Sequence, residues 1–143
     1  DIERQAEDAG VPLRWPSAFP LNTVLALRVT LAAGGGGSVE GQALIHALYR
    51  ACWVDGLDPS DPAVVSAVCD EVGLDGTQLV ERAVQPEVKQ ALRDATAQAV
   101  EAGVFGAPTA VVRQAGRSAA LFWGNDRLDL AAQAARGEER LLM

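Results

Sequence analysis

The residues best placed to do chemistry lie in two runs near the end of the chain. The first is Gly103-Val104-Phe105-Gly106-Ala107-Pro108-Thr109, and the second is Phe122-Trp123-Gly124-Asn125-Asp126-Arg127-Leu128. Pro108 lacks an N–H and admits the cis isomer that other residues almost never adopt, while Gly103 and Gly106 allow backbone angles closed to residues with side chains. A cis Ala107-Pro108 bond would turn the N–H and C=O of Ala107 outward, where an extended ligand backbone can pair with them as one more strand. An ordinary helix-to-strand loop accounts for the same spacing. Asn125 and Asp126 stand at a helix start, where one of them reads as an N-cap. That place also suits a zwitterion, because helix N–H groups attract a carboxylate and Asp126 attracts an ammonium. The chemistry these runs describe is the binding of a small peptide-like anion.

The elements that must position them are mostly helical. Residues 1–9 end a helix at Gly10, and residues 11–20 are an extended segment that its prolines keep from being helix. An apolar helix is expected from Leu21 to Ala33, buried on most sides, followed by a flexible link, Gly34-Gly35-Gly36-Gly37-Ser38. Val39 to Val54 forms a long helix with Leu44, Ile45, Leu48, Ala51 and Cys52 on one side. Asp61 and Pro62 read as the N-cap and first residue of a short helix stopped by Gly73. Helices over 77–84 and 86–102 follow, the second with Val88, Ala91, Leu92, Ala95, Ala99 and Val100 on a face expected to pack inward. Strands near 109–113 and 119–123 then precede a last helix over 127–135, with Leu128, Ala131, Ala132 and Ala135 at helical spacing.

With 143 residues, 49% of them hydrophobic, the chain suits one domain with a sizeable core and some apolar surface left for a partner. A net charge of −7 with no basic patch argues against nucleic acid and acidic membranes. No run approaches a membrane span. Cys52 and Cys69 form no Cys-x-x-Cys motif and read as buried small hydrophobes in a reducing, cytoplasmic compartment. His46 sits mid-helix without a nameable partner and reads as structural or solvated. Asp55, Asp58 and Asp61, interrupted by prolines, depart from the calcium-loop pattern, so no metal is expected. Arg127 is able to reach a ligand carboxylate or to pair with Asp126 or Asp129.

On the runs at 103–109 and 122–128, with Leu13-Arg14-Trp15-Pro16, Asn22-Thr23 and Ala51-Cys52-Trp53, the chain resembles the 2-hydroxychromene-2-carboxylate isomerase family. It is similar, more distantly, to kappa-class glutathione transferases. The wider group has a thioredoxin-like α/β fold with an all-helical insertion, related to the periplasmic disulfide oxidoreductases. The resemblance therefore implies a mostly helical chain, with residues 1–102 as the insertion and its flanking helix. Residues 103–143 would form the C-terminal β-hairpin and helix of the thioredoxin-like domain. An N-terminal strand-helix-strand unit carrying the serine that activates the thiol would precede Asp1 and is not in this sequence. A fragment, a truncated gene product or one piece of a split protein is then expected, and no catalytic residue is assigned within it.

The resemblance further implies glutathione as cofactor, held by Ala107, Pro108, Trp123, Gly124, Asn125 and Asp126. A small aromatic carboxylate substrate would touch Phe19 and Arg127. Trp15 and Phe19 fall in the segment that forms one wall of the family's aromatic pocket; core packing is favoured for Trp15, while both readings stay open for Phe19. The borrowed thiol would add to the chromene, permit ring opening and rotation, and leave to give the trans-benzylidenepyruvate. Two strands alone are marginal, so a homodimer or association with the missing unit is expected. A thiol-disulfide oxidoreductase, a glutathione transferase and a non-catalytic binding module are the alternatives.

Overall fold

The structure, a computed structural model, describes residues 1–138; the last residues of the segment expected over 103–143 lie outside the described ones. The chain divides into two compact units, Asp1–Leu92 and a second that begins at Arg93. The first unit is helical: α1 (Ile2–Asp8), α2 (Val24–Ala32), α3 (Val39–Trp53), α4 (Pro62–Glu71) and α5 (Gly76–Ala83). Helix α6 (Pro86–Glu101) runs across the unit boundary, and β1 (Thr109–Val112), β2 (Ala120–Trp123) and α7 (Leu128–Ala135) complete the second unit.

Helix starts follow their capping chemistry. Ser38 Oγ accepts from the Gly41 N–H at 2.9 Å to open α3, Asp61 accepts from Ala63 N–H at 2.8 Å to open α4, and Asp75 accepts from Gln78 N–H at 2.8 Å to open α5. The glycine run expected as a flexible link is instead a 3-10 turn, Gly35–Gly37, tied to α3 by Ser38 and by Gln42 Nε2 donating to the Gly36 carbonyl. Helix α2 begins at Val24 rather than Leu21, because Asn22 Oδ1 takes the Val24 N–H in a local turn after Pro20.

The core of the first unit is built by Ala26 and Val29 from α2, Leu44, Leu48 and Ala51 from α3, Val65, Val68 and Cys69 from α4, and Leu79 and Ala83 from α5. Only one side of α2 joins it: Ala26 and Val29 are buried, while Val24 and Leu27 are exposed, which corrects the expectation of burial on most sides. The inward face expected on α6 is corrected as well. No described residue of that helix is fully buried, and Val100 is 67% exposed. An apolar stripe states which face a neighbour can cover, and burial follows only when a neighbour closes over it.

In the second unit β1 and β2 pair antiparallel with Thr109 opposite Trp123 and Val112 opposite Ala120. Helix α7 packs on both strands, and Gln114 Nε2 donates to the Ala134 carbonyl at 2.6 Å, tying the hairpin turn to the helix end. Ala131 and Ala134 form its buried stripe. Among the described residues no helix is long and apolar enough to cross a membrane.

Candidate functional site

Each unit carries one candidate surface. In the first, the extended segment after α1 is laid against the end of α3: the Arg14 N–H donates to the Trp53 carbonyl at 2.7 Å, and Arg14 Nη1 donates to the Asp55 carbonyl at 3.3 Å. This placement gathers three aromatic rings. Trp15 stands edge-on to Phe19, with centroids 6.1 Å apart, and to Trp53 at 6.0 Å, while Phe19 and Trp53 are tilted at 6.4 Å. Trp15 is not a core residue as expected; it is 46% exposed and its indole N–H donates to Glu3 Oε1 at 2.7 Å. A satisfied indole N–H and an apolar ring body let it sit at a rim.

Phe19 borders a cleft of about 550 Å³ whose other walls include Leu27, Ile45, Tyr49 and Trp53, with Ala26 and Cys52 deeper in. Its size falls within the range of about 300–1,000 Å³ usual for small-molecule sites. Leu27 escapes notice in the sequence because it comes from α2 while Tyr49 and Trp53 come from α3, one turn apart, and the three share no motif with Phe19. Cys52 is buried, and burial, reinforced by the negative charge of Asp58, pushes its thiol up. Cys69 lies in the core, pushed up to about 11 by burial and then by Asp70. Both are unpaired neutral thiols rather than nucleophiles.

The aspartates between α3 and α4 have local tasks. Asp58 accepts from both the N–H and the hydroxyl of Ser60, bonds that hold its carboxyl below the usual value, and Asp61 caps α4. His46 is exposed on α3.

In the second unit the Ala107–Pro108 bond is cis and both residues are exposed. The Pro108 carbonyl accepts from the Gly124 N–H at 2.9 Å, which holds the corner against the end of β2. Neither the N–H nor the C=O of Ala107 takes a backbone hydrogen bond among the described residues. The Trp123 indole lies over Gly106, where a Cβ would come within 2.8 Å of its Nε1, and Phe105 flanks it with centroids 5.2 Å apart.

Gly124, at φ 110°, leads into a 3-10 turn over Asn125–Arg127, and α7 starts only afterwards, with Arg127 in the capping position and no side-chain cap. Neither Asn125 nor Asp126 is therefore the cap of α7 expected from sequence; the extra turn displaces them from its first residue. Arg127 Nε stands 3.4 Å from Asp126 Oδ2, with both side chains more than half exposed. A pair so exposed is worth little and leaves Asp126 available to a ligand ammonium. The structure thus brings Ala107, Pro108, Trp123, Gly124, Asn125 and Asp126 into one unit, with Arg127 beside them, and places Phe19 on the cleft of the other.

Over 129 residues the chain is 35% identical to a 2-hydroxychromene-2-carboxylate isomerase of Sphingobium xenophagum, covering 90% of this chain and 62% of the relative. It is 32% identical over 88 residues to human glutathione S-transferase kappa 1, covering 59% of this chain and 38% of that protein. A solved 2-hydroxychromene-2-carboxylate isomerase superposes with a TM-score of 0.80 at 24% identity, over 96% of this chain and 63% of that one, a likeness of fold. The chain spans less than two thirds of the length of these relatives. The model of the DSBA-like thioredoxin domain matches residues 1–136. With its helices preceding a hairpin and a closing helix, the chain belongs to the DSBA-like thioredoxin domain family.

Proposed function

We propose that the protein is a glutathione-dependent isomerase of 2-hydroxychromene-2-carboxylate-type compounds, giving trans-o-hydroxybenzylidenepyruvate-type products. This chain would supply an aromatic substrate wall and a cradle for the tripeptide. The observation that carries the reading is the open aromatic cleft around Phe19, Tyr49 and Trp53 in a chain 35% identical to such an isomerase.

The residues present fit glutathione. The exposed main chain at Ala107 is free to pair with a peptide backbone, Asp126 offers a carboxylate to its ammonium, and Gly124 has no side chain to crowd that carboxylate. Bound glutathione supplies the nucleophilic thiol. The chain's own part is to bind and orient: Ala107 and Asp126 hold the ends of the tripeptide, and Phe19 with its neighbours shields the substrate ring from water. Cys52 at the cleft stays a neutral thiol and does not compete as nucleophile.

Retention on immobilised glutathione tests the reading. Asp126→Ala is expected to lower retention by about tenfold or more, the scale of a lost charge-assisted contact. Retention equal to the parent protein would refute the cradle, and an absence of glutathione-dependent chromene conversion by the full-length protein would refute the isomerase reading. A glutathione transferase is the second reading, favoured by the similarity to the human kappa protein, and is told apart by a stable conjugate in place of an isomer. Two buried unpaired cysteines suit a cytoplasmic setting, and association with a second copy or with a further strand-bearing unit would cover the exposed edge of the hairpin.

A further inference from the structure

The cleft of the helical unit has no charged side chain in its wall among the described residues. Its polar atoms are few. The Thr30 hydroxyl gives its proton to the Ala26 carbonyl at 2.9 Å, Thr23 and Tyr49 are exposed residues at the edge of the cleft, and Cys52 is a neutral thiol. The charge of Asp58 acts on the Cys52 thiol in the same sense as burial, holding it neutral. A carboxylate carried into this space would lose its water and gain no cation, with only the hydroxyls of the exposed Thr23 and Tyr49 as donors, an unfavourable exchange, whereas an aromatic ring loses only apolar hydration. A dry apolar cavity of about 150 Å³ takes one benzene, and the cleft holds about 550 Å³.

We propose that this cleft is a binding site for uncharged aromatic compounds, which enter ring-first and bind more tightly than the same ring bearing a carboxylate. The proposal rests on the reading of this wall as the aromatic substrate site and deepens it: a carboxylate substrate would keep its charged group outside the cleft, and neutral aromatic compounds would compete for the same wall.

Calorimetric titration of the full chain with 2-naphthol, phenol and 2-naphthoate, without glutathione, tests it. 2-Naphthol is expected to bind about tenfold or more tightly than 2-naphthoate and more tightly than phenol, as expected of greater apolar burial without a desolvated charge. Equal or tighter binding of 2-naphthoate would overturn the proposal. Leu27→Arg, at a position 48% exposed on the cleft, places a cation on the wall. It is expected to narrow the naphthol-to-naphthoate gap by about tenfold, and an unchanged gap would also overturn the proposal. Neither titration involves glutathione or turnover, so failure of the isomerase reading and failure of this one are separable.

Discussion

Val29, Leu44 and Val65 of the helical unit are wholly shielded from water, whereas Phe105, Trp123 and Leu128 of the hairpin unit each keep more than half of their surface exposed. Both sets are large apolar residues; all but Phe105, in the loop before β1, lie in helices or strands. The first set lies where α2, α3 and α4 meet, so each face is closed by another helix. The second lies on a two-stranded sheet with one helix against it, and β2 shows the result directly: Ala120 and Phe122 are half-buried while Leu121 and Trp123 face solvent. A pair of strands has two faces and two edges, and one helix of eight residues covers only part of them. The helical unit closes its core with its own helices, while the hairpin unit is left with apolar surface on which a ligand or another chain can act.

Truncation of the two cores breaks or sharpens the contrast most strongly. Leu44→Ala is expected to destabilise the helical unit by about 2–5 kcal/mol in denaturant unfolding, the range for a buried Leu that leaves a cavity. Leu128→Ala is expected to stay within about 0.5 kcal/mol, as exposed substitutions do. Similar losses at both positions would mean that the hairpin unit is closed by contacts other than those described.

The next effect is one of pH. The Cys69 thiol is raised by burial from an ordinary 9.0 to about 11, so its contribution to stability is intact below the unfolded value and lost as pH rises toward the folded one. Thermal unfolding of the parent chain is expected to weaken between these values more steeply than that of Cys69→Ala. Matching slopes would contradict the buried-thiol account.

Capping gives the smallest contrast. Asp61→Ala removes the acceptor for the Ala63 N–H and is expected to cost about 1 kcal/mol. Asp126→Ala, which removes no cap of α7, should be near neutral for stability while it lowers glutathione retention. A loss of stability at Asp126 comparable with that at Asp61 would assign it a structural rather than a ligand-binding task.

Much of the fold is legible in the chain itself. Leu44, Leu48 and Cys52 at helical spacing after Ser38 mark α3, Asp61-Pro62 marks the start of α4, and the apolar runs around 109–113 and 119–123 mark the strands, all within a residue or two of the observed ends. The misreadings have a common origin. The face of α6, the burial of α2 and the place of Trp15 depend on neighbours contributed from elsewhere, about which periodicity is silent. The glycine run looked mobile because its composition permits mobility, yet Ser38 and Gln42 fix it. For the candidate site, Ala107-Pro108 and Gly124-Asn125-Asp126 announce themselves as a motif, but the 3-10 turn that shifts α7 away from Asn125 and Asp126 does not. The cleft was the least legible feature, since Leu27, Tyr49 and Trp53 meet Phe19 only after two helices and an extended segment are packed.

By itself, then, the sequence determined the order of helices and strands and the ends marked by a cap or proline, as at Ser38 and Asp61-Pro62, because such signals act over a few residues of backbone; the starts of α2 and α7 were set by local turns it did not announce. Tertiary structure alone decided which apolar faces are closed, which aromatic rings meet and which thiols are held neutral. Those outcomes depend on water being excluded between segments distant in the chain, and no local pattern of residues encodes that exclusion.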